Sequence, residues 1–270
     1  MDRLPNLSTT PLALIIIGVI AIGSVIGQAF FSARVRRAGM HEQIDNGTIA
    51  GLIAAIVGIF AIAAGLTAVA GWGNTVDAAS RVGREASAIT VLYHALGAYP
   101  EPLQTDAKKQ LKQYTTNIIA KEWPILHAGG ALGGGVDVLD KLQRDLFTFE
   151  PVTEGQKITH AEAIACFNRL LEMRRSRVQS ADETTLPKAL WAVVILLGAI
   201  AIAGCFLLHI ENFWMHTVVT MLVAAPIALV LFFIAVTDRP YRGGITVSTE
   251  PYRAVLEHVI AIDEERRGKK

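Results

Sequence analysis

The chain has 270 residues, 52% of them hydrophobic and only 18% charged, with a formal net charge of +1. A nucleic-acid binder, which carries a strong basic excess on one domain, is excluded by that balance. No Asp, Glu, Lys or Arg occurs in 4–33, 46–76, 189–210 or 212–237, so a purely soluble globule is excluded as well. Each uncharged run holds the roughly 20 apolar residues that carry a helix across a hydrocarbon layer about 30 Å thick.

The first apolar helix is expected over 11–31. Its run from Leu12 to Phe31 follows a weakly basic Met1-Asp2-Arg3 and lacks an A-x-A site. It exceeds the roughly 7–15 apolar residues of a signal-peptide core, which reads as a retained membrane helix. A loop from Ser32 to Thr48, with Asn46-Gly47 as a turn signal, leads to a second helix over 49–71. In that helix Gly51, Ala54, Gly58, Ala61, Gly65 and Ala68 recur at alternating spacings of three and four. This is a small-residue seam along which helix backbones approach closely in lipid. The opposite face carries Ile53, Ile56, Phe60, Ala63 and Thr67. If the seam packs on other helices, that face meets lipid or the lumen of an oligomer.

With no proline at the apolar-to-charged transition, the second helix is expected to continue into a soluble helical segment, 77–187. There Val82, Ala86, Ile89, Tyr93 and Leu96 keep helical spacing, as do Leu103, Ala107, Leu111, Tyr114, Ile118 and Ile125. Further helices are expected over 136–147 and along Ile158, Ala161, Ile164, Ala165, Asn168 and Leu171. A glycine run, 129–135, breaks the segment. The third membrane helix begins after Pro187, which is well placed at a first helical position, and runs through Trp191 to about Leu208. Four residues, His209 to Asn212, then force a tight hairpin into the fourth, from Phe213 to Val236 with Pro226 inside. Trp191 and Trp214 fall near span ends, where amphipathic rings prefer the headgroup level. After a short strand-like alternation at 245–247, the tail restarts as a helix at Pro251.

The organisation is thus membrane helices one and two in 1–76, a helical domain in 77–187, membrane helices three and four in 188–237, and a tail in 238–270. Arg81, Arg84, Arg174, Arg175, Arg177, Lys188, Arg239, Arg242 and Arg253 lie close to the spans on one side, against Arg34, Arg36 and Arg37 on the other. The excess of basic residues assigns the central domain and both termini to the cytoplasmic side of an inner (plasma) membrane.

No residue set points to catalysis. The seven histidines form no i, i+4 pair with a third ligand nearby, although His209 and His216 could face each other at the hairpin. The glycine run lacks the Gly-Lys-Ser/Thr ending that holds phosphate. Cys166 and Cys205 sit in different kinds of segment. No catalytic, cofactor-binding or metal-binding residue, and no cofactor, is expected.

The segment after the second helix, Trp72-Gly73-Asn74 and then Arg84-Glu85-Ala86, resembles the corresponding helix end in bestrophin channels. Farther along come Leu92-Tyr93, Glu122-Trp123-Pro124, Arg174 and Arg177 before Pro187 and Trp191, and Asp238-Arg239-Pro240-Tyr241 with Gly243 and Glu250-Pro251. In that order they resemble a bacterial bestrophin-like membrane family across nearly the whole chain. The resemblance implies an all-α protein of four membrane helices with a helical cytoplasmic domain between the second and third. It implies a homo-oligomer, of pentameric form, embedded in membrane lipid and passing ions through a hydrophobic neck lined by the second helix. Anchoring the register on Trp72 and Asn74 gives Ala55, Ile59 and Ala63 at the neck; a shift of one gives Ile56, Phe60 and Ala64. Bulk favours Ile56 and Phe60, so Ile56, Ile59, Phe60 and Ala63 are the expected lining residues. The alternative is a non-conducting scaffold whose cytoplasmic helices bind a partner protein or anionic lipid. Asp238 is followed by Arg239 and Arg242 rather than an acidic run, so calcium control is not expected. Asp238 and Arg239 pair with Arg174 or Glu85, or form a solvated turn. Arg81, Arg84 and Glu85 either attract permeating ions or make packing salt bridges. Glu122-Trp123-Pro124 reads as a helix end.

Overall fold

A computed structural model describes residues 9–38, 45–130, 137–182, 186–242 and 247–268. The described residues are all-α, and no strand occurs among them. The helices are α1 (Thr9–Ala38), α2 (Asn46–Ala95), α3 (Leu103–Asn117), α4 (Trp123–His127), α5 (Asp137–Thr148) and α6 (Glu154–Asp182), followed by α7 (Lys188–Cys205), α8 (Phe213–Thr237) and α9 (Glu250–Gly268). Residues 131–135 of the glycine run and 245–246 of the strand-like alternation lie outside the described residues.

The chain forms two compact units. The first comprises Met1–Asn74, Thr184–Arg239 and Gly243–Ile245; the second comprises Thr75–Glu183, Pro240–Arg242 and Thr246–Lys270. α2 has residues in both, being one unbroken helix of 50 residues, because no proline or capping residue interrupts its apolar-to-charged transition.

In the first unit four helices are long and apolar enough to cross a membrane. Their outward surfaces carry Leu14, Leu66, Leu222 and Trp214, each at least 69% exposed, so this unit presents to its surroundings the side chains a soluble protein buries. α2 starts where Asp45 accepts hydrogen bonds from the Gly47 and Thr48 backbone N–H groups. Asn46-Gly47 is therefore a capped helix start rather than the expected turn. Asn46 also clamps the α7–α8 connection, donating to the His209 carbonyl at 2.9 Å and accepting from the His209 N–H at 2.8 Å. α7 begins after Pro187, as expected, with Pro187 as its N-cap (ψ 137°) rather than its first helical residue. α7 ends at Cys205, three residues before the expected stop, in i→i−3 bonds through Leu208. Asn212 caps α8, accepting from the N–H groups of Trp214 and Met215.

Within the second unit, α3 passes into a π turn at Ile118–Glu122 before α4. Pro124 has no N–H to donate and its ring crowds the carbonyl four residues back, which falls inside that turn. The turn adds one residue to the register. Leu126 is therefore buried, whereas Ile125, expected to continue the apolar face of α3, is 44% exposed. α4 closes in a Schellman motif: Gly129, at φ 76°, donates to the Leu126 carbonyl and Gly130 to the Ile125 carbonyl. The head of the glycine run is thus a helix cap, and only glycine takes that φ without strain.

The buried face of α6 also differs from the expected one. Ala163, Phe167 and Leu170 are at 0% exposure, while Ile158 is 71% exposed. The stripe continues through Arg174 and Arg177, so a count of apolar residues alone selects the wrong phase.

Candidate functional site

Two arrangements draw in the residues singled out from the sequence. One is buried in the second unit and the other covers the outside of α2 in the first.

The buried arrangement is a four-charge cluster with tyrosines around it. Glu85 comes from α2, Glu122 from the π turn, and Arg174 and Arg177 from α6. Arg177, fully buried, donates from Nε to Glu85 Oε2 at 2.5 Å and from Nη2 to Glu122 Oε2 at 2.7 Å and Glu85 Oε1 at 3.3 Å. Arg174 Nη2 donates to Glu122 Oε1 at 2.8 Å. Tyr114 and Tyr252, from α3 and α9, donate their hydroxyls to Glu85 Oε1 at 2.5 Å and Oε2 at 2.9 Å. Each carboxylate oxygen thus has a charged donor, and the two arginines and two glutamates sum to zero. Burial pushes the Tyr114 and Tyr252 hydroxyls well above the usual phenol range, and the Glu85 charge pushes them further, so both stay protonated donors. Burial alone would lower the Arg177 pKa, but the facing Glu85 carboxylate lifts it well above its ordinary value, and the guanidinium stays charged.

Trp123 packs edge-on against Tyr241 and Tyr252 at centroid distances of 6.0 and 5.9 Å, closing the cluster on one side. Its position follows from the π turn, which sends Glu122 and Trp123 inward together. Glu85 and Arg177 have no solvent exposure and every carboxylate oxygen is occupied, while Arg177 Nη1 has no hydrogen-bond partner among the described residues. The chemistry of the cluster is that of a junction joining α2, α3, the π turn, α6 and α9. Of the two readings of Glu85, the packing salt bridge is the one observed. Arg84 next to it is exposed, and Arg81 donates to Ser176 at 2.5 Å.

Asp238 is buried in the first unit, where Oδ1 accepts the Leu186 N–H at 2.8 Å and Oδ2 accepts from Trp191 Nε1 at 3.2 Å. It thereby ties the start of α7 to the end of α8, while Arg239 is half-buried and Pro240 is buried. His216 Nε2 lies 2.9 Å from the Cys205 carbonyl oxygen.

The second arrangement reverses the faces expected for α2. Phe60 is 4% exposed and packs with Ala64, Val194, Ala201 and Ile227 in the core of the first unit, and Ile53 and Thr67 are buried on the same side. The close approach comes from glycines on α7 rather than from the α2 seam. A Cβ at Gly198 would meet Ile227 Cγ2 at 3.0 Å and Phe60 Cε2 at 3.3 Å, and one at Gly204 would meet Ile53 Cγ1 at 3.1 Å. Phe60, expected at the lumen, is therefore a core residue of its own subunit. Ile56 and Ala63 are half-buried, and Ile59 is 57% exposed.

The seam lies on the outside. Gly51, Ala54, Gly58, Ala61 and Gly65 are exposed and Ala68 is half-exposed; nothing lies within 4 Å of a Cβ placed on any of the three glycines. Beside it runs an outward apolar stripe at alternating spacings of three and four: Leu52, Ala55, Ile59, Ile62, Leu66 and Val69. Between the seam and α8 is an apolar groove of about 510 Å³, lined by Ala61, Gly65 and Ala68 opposite Leu222, Pro226 and Phe233.

These features define the class of protein: a multi-pass membrane protein with an all-α architecture and a second helical unit built around a buried ion cluster. The profile of the bestrophin-like domain matches residues 18–252, and the chain belongs to the bestrophin-like family. Curated proteins yield no match in sequence. Among solved structures, a variant of a bacterial bestrophin homolog from Klebsiella pneumoniae superposes with a TM-score of 0.62 at 10% identity, covering 94% of this chain and 98% of that one. Two structures described as variants of a membrane protein give TM-scores of 0.61 and 0.59 at 12% and 13% identity. They cover 90% and 91% of this chain and 95% and 97% of theirs. At such identities the likeness is one of fold.

Proposed function

We propose that the chain assembles into a closed homo-oligomer, a pentamer in the form its family resemblance suggests, that conducts ions passively through a hydrophobic neck formed by α2. The observation that carries this reading is the outward surface of α2. It holds an apolar stripe and, beside it, a seam of small residues whose three glycines have nothing of the same subunit within 4 Å of an added Cβ. In a ring of copies, the seam and its groove take a neighbouring subunit and the stripe turns to the axis. Family membership supports the same arrangement.

On this reading Ile59 is the central neck residue, with Ala55 and Ala63 a turn to either side and Ile62 and Leu66 extending the apolar lining. A constriction of that kind gates by dewetting and needs no catalytic group. The helical second unit and both termini lie on the cytoplasmic side, as the distribution of Lys and Arg favours.

Native mass spectrometry of the protein in nanodiscs, followed by ion flux in liposomes, tests the proposal. A closed ring with a low basal flux that Ile59→Ala raises severalfold supports it. A monomer or dimer, or a ring whose flux is indifferent to both Ile59→Ala and Ile62→Ala, overturns it in favour of a non-conducting scaffold.

A further inference from the structure

Two histidines from distant parts of the chain meet on the surface of the second unit. His94 lies in the last turn of α2 and His258 in the middle of α9; their ring centroids are 6.0 Å apart, with planes at 60°. Both side chains are exposed, yet the helices that carry them are fixed. α2 is held there by Leu92 and Tyr93, with Leu96 just past its end, each at most 1% exposed, and α9 by Tyr252, Val255 and Val259 on the core. Asp263, one turn beyond His258, pairs with Lys112 and Tyr93 and pins α9 a second time. The backbones are therefore preset, while the two imidazoles keep their freedom to rotate.

Two neutral imidazoles in water gain little from an edge contact, but together they offer two nitrogen ligands. A Zn–N bond of about 2.1 Å places each ring centroid about 3.2 Å from the ion, so two rings on one tetrahedral ion sit about 5 Å apart. The observed spacing differs from that by less than about 1 Å, within reach of a side-chain rotation. Imidazole suits zinc, copper and nickel, whereas magnesium and calcium require oxygen ligands. No group of three or more His, Cys, Asp or Glu that could hold a metal is found among the described residues. The remaining positions would therefore belong to water.

We propose that His94 and His258 form a two-histidine site for a borderline divalent transition ion, Zn²⁺ or Cu²⁺, which bridges α2 and α9 and clamps the tail helix onto the second unit. The spacing of the two residues in sequence hides the site from any local metal motif. It is independent of ion conduction.

The test uses the full-length protein in detergent, with Zn²⁺ titrated against a chromophoric chelator and Cu²⁺ followed by electron paramagnetic resonance. One equivalent per chain is expected, with Cu²⁺ showing splitting from two nitrogens. His94→Ala and His258→Ala each weaken binding on the order of tenfold or more and abolish the rise in Tm that Zn²⁺ produces in the wild type. Since both side chains are exposed, the variants keep the wild-type Tm in the presence of chelator. Equal binding in wild type and both variants, loss in only one variant, or no binding in excess Zn²⁺ overturns the assignment.

Discussion

Replacing Arg177 by Met tests the buried cluster most directly. Arg177 bonds both Glu85 and Glu122, through three hydrogen bonds of 2.5–3.3 Å at 0% exposure. Methionine fills much of its volume but leaves Glu85 facing only two phenol hydroxyls, and two carboxylates against the single charge of Arg174. Removing one partner of a buried ion pair costs about 3–5 kcal/mol, because the remaining charge is stranded away from water. For a helical unit of this size that corresponds to a fall in Tm of roughly 10 °C or more. Trp123, packed beside the cluster on Tyr241 and Tyr252, is the only tryptophan of the second unit and reports its unfolding by fluorescence. Arg177→Lys keeps the charge but cannot span both carboxylates in a planar fork, so an intermediate loss is expected. Adding Glu85→Leu to Arg177→Met removes the stranded charge and recovers part of the stability, a coupling of about 1 kcal/mol or more. An Arg177→Met protein melting within about 2 °C of wild type would refute the view that this cluster joins the unit together.

Four further outcomes follow from other positions. Tyr114 and Tyr252 have pKa values raised above 10.0 in the fold, so their contribution is complete below pH 10 and is lost as pH rises beyond it; Tyr114→Phe should flatten that alkaline limb in a Tm-versus-pH series. Burial would raise the Asp263 pKa, but the Lys112 and Tyr93 hydrogen bonds outweigh it and hold the carboxyl below its usual value. Its contribution is therefore present above about pH 4 and fades as pH falls; hydrogen exchange in 250–261 should increase in acid, and Asp263→Asn should show the increase already at neutral pH. Gly71→Ala forces a Cβ to within 2.5 Å of Thr237 Oγ1 and 3.2 Å of its Cβ and should destabilise the subunit by about 1–3 kcal/mol. A Cβ at Gly58 has nothing within 4 Å, so Gly58→Leu should change subunit stability little while lowering the oligomer fraction in native mass spectra.

The four spans were legible because an uncharged run of membrane length has few other physical explanations. The inner and outer faces of α2 were not. A small-residue seam shows that backbones can approach closely, but not which helix does so, and here the close approach within the subunit is supplied by Gly198 and Gly204 of α7. Phe60 looked exposed because its own helix gives no hint of the hollow opposite it. The buried cluster was half legible: Glu85, Glu122, Arg174 and Arg177 stood out as motif residues, without their mutual contacts.

A signal for those contacts was present in the register. Val82, Ile89, Leu92 and Leu96 set the inward phase of α2, and Glu85 falls on it; Ala163, Phe167 and Leu170 set the phase of α6, and Arg174 and Arg177 continue it. A charge at a core position of one helix is a defect unless an opposite charge occupies a core position of another. Glu85 at one such position and Arg174 and Arg177 at others therefore imply one another as partners, even though they are far apart in the chain. Glu122 alone escapes this rule, because its inward direction depends on the extra residue of the π turn. Pro124 is the residue from which that turn could have been inferred: a proline two places after a glutamate inside an otherwise helical pattern requires the preceding turn to give up its regular hydrogen bonding.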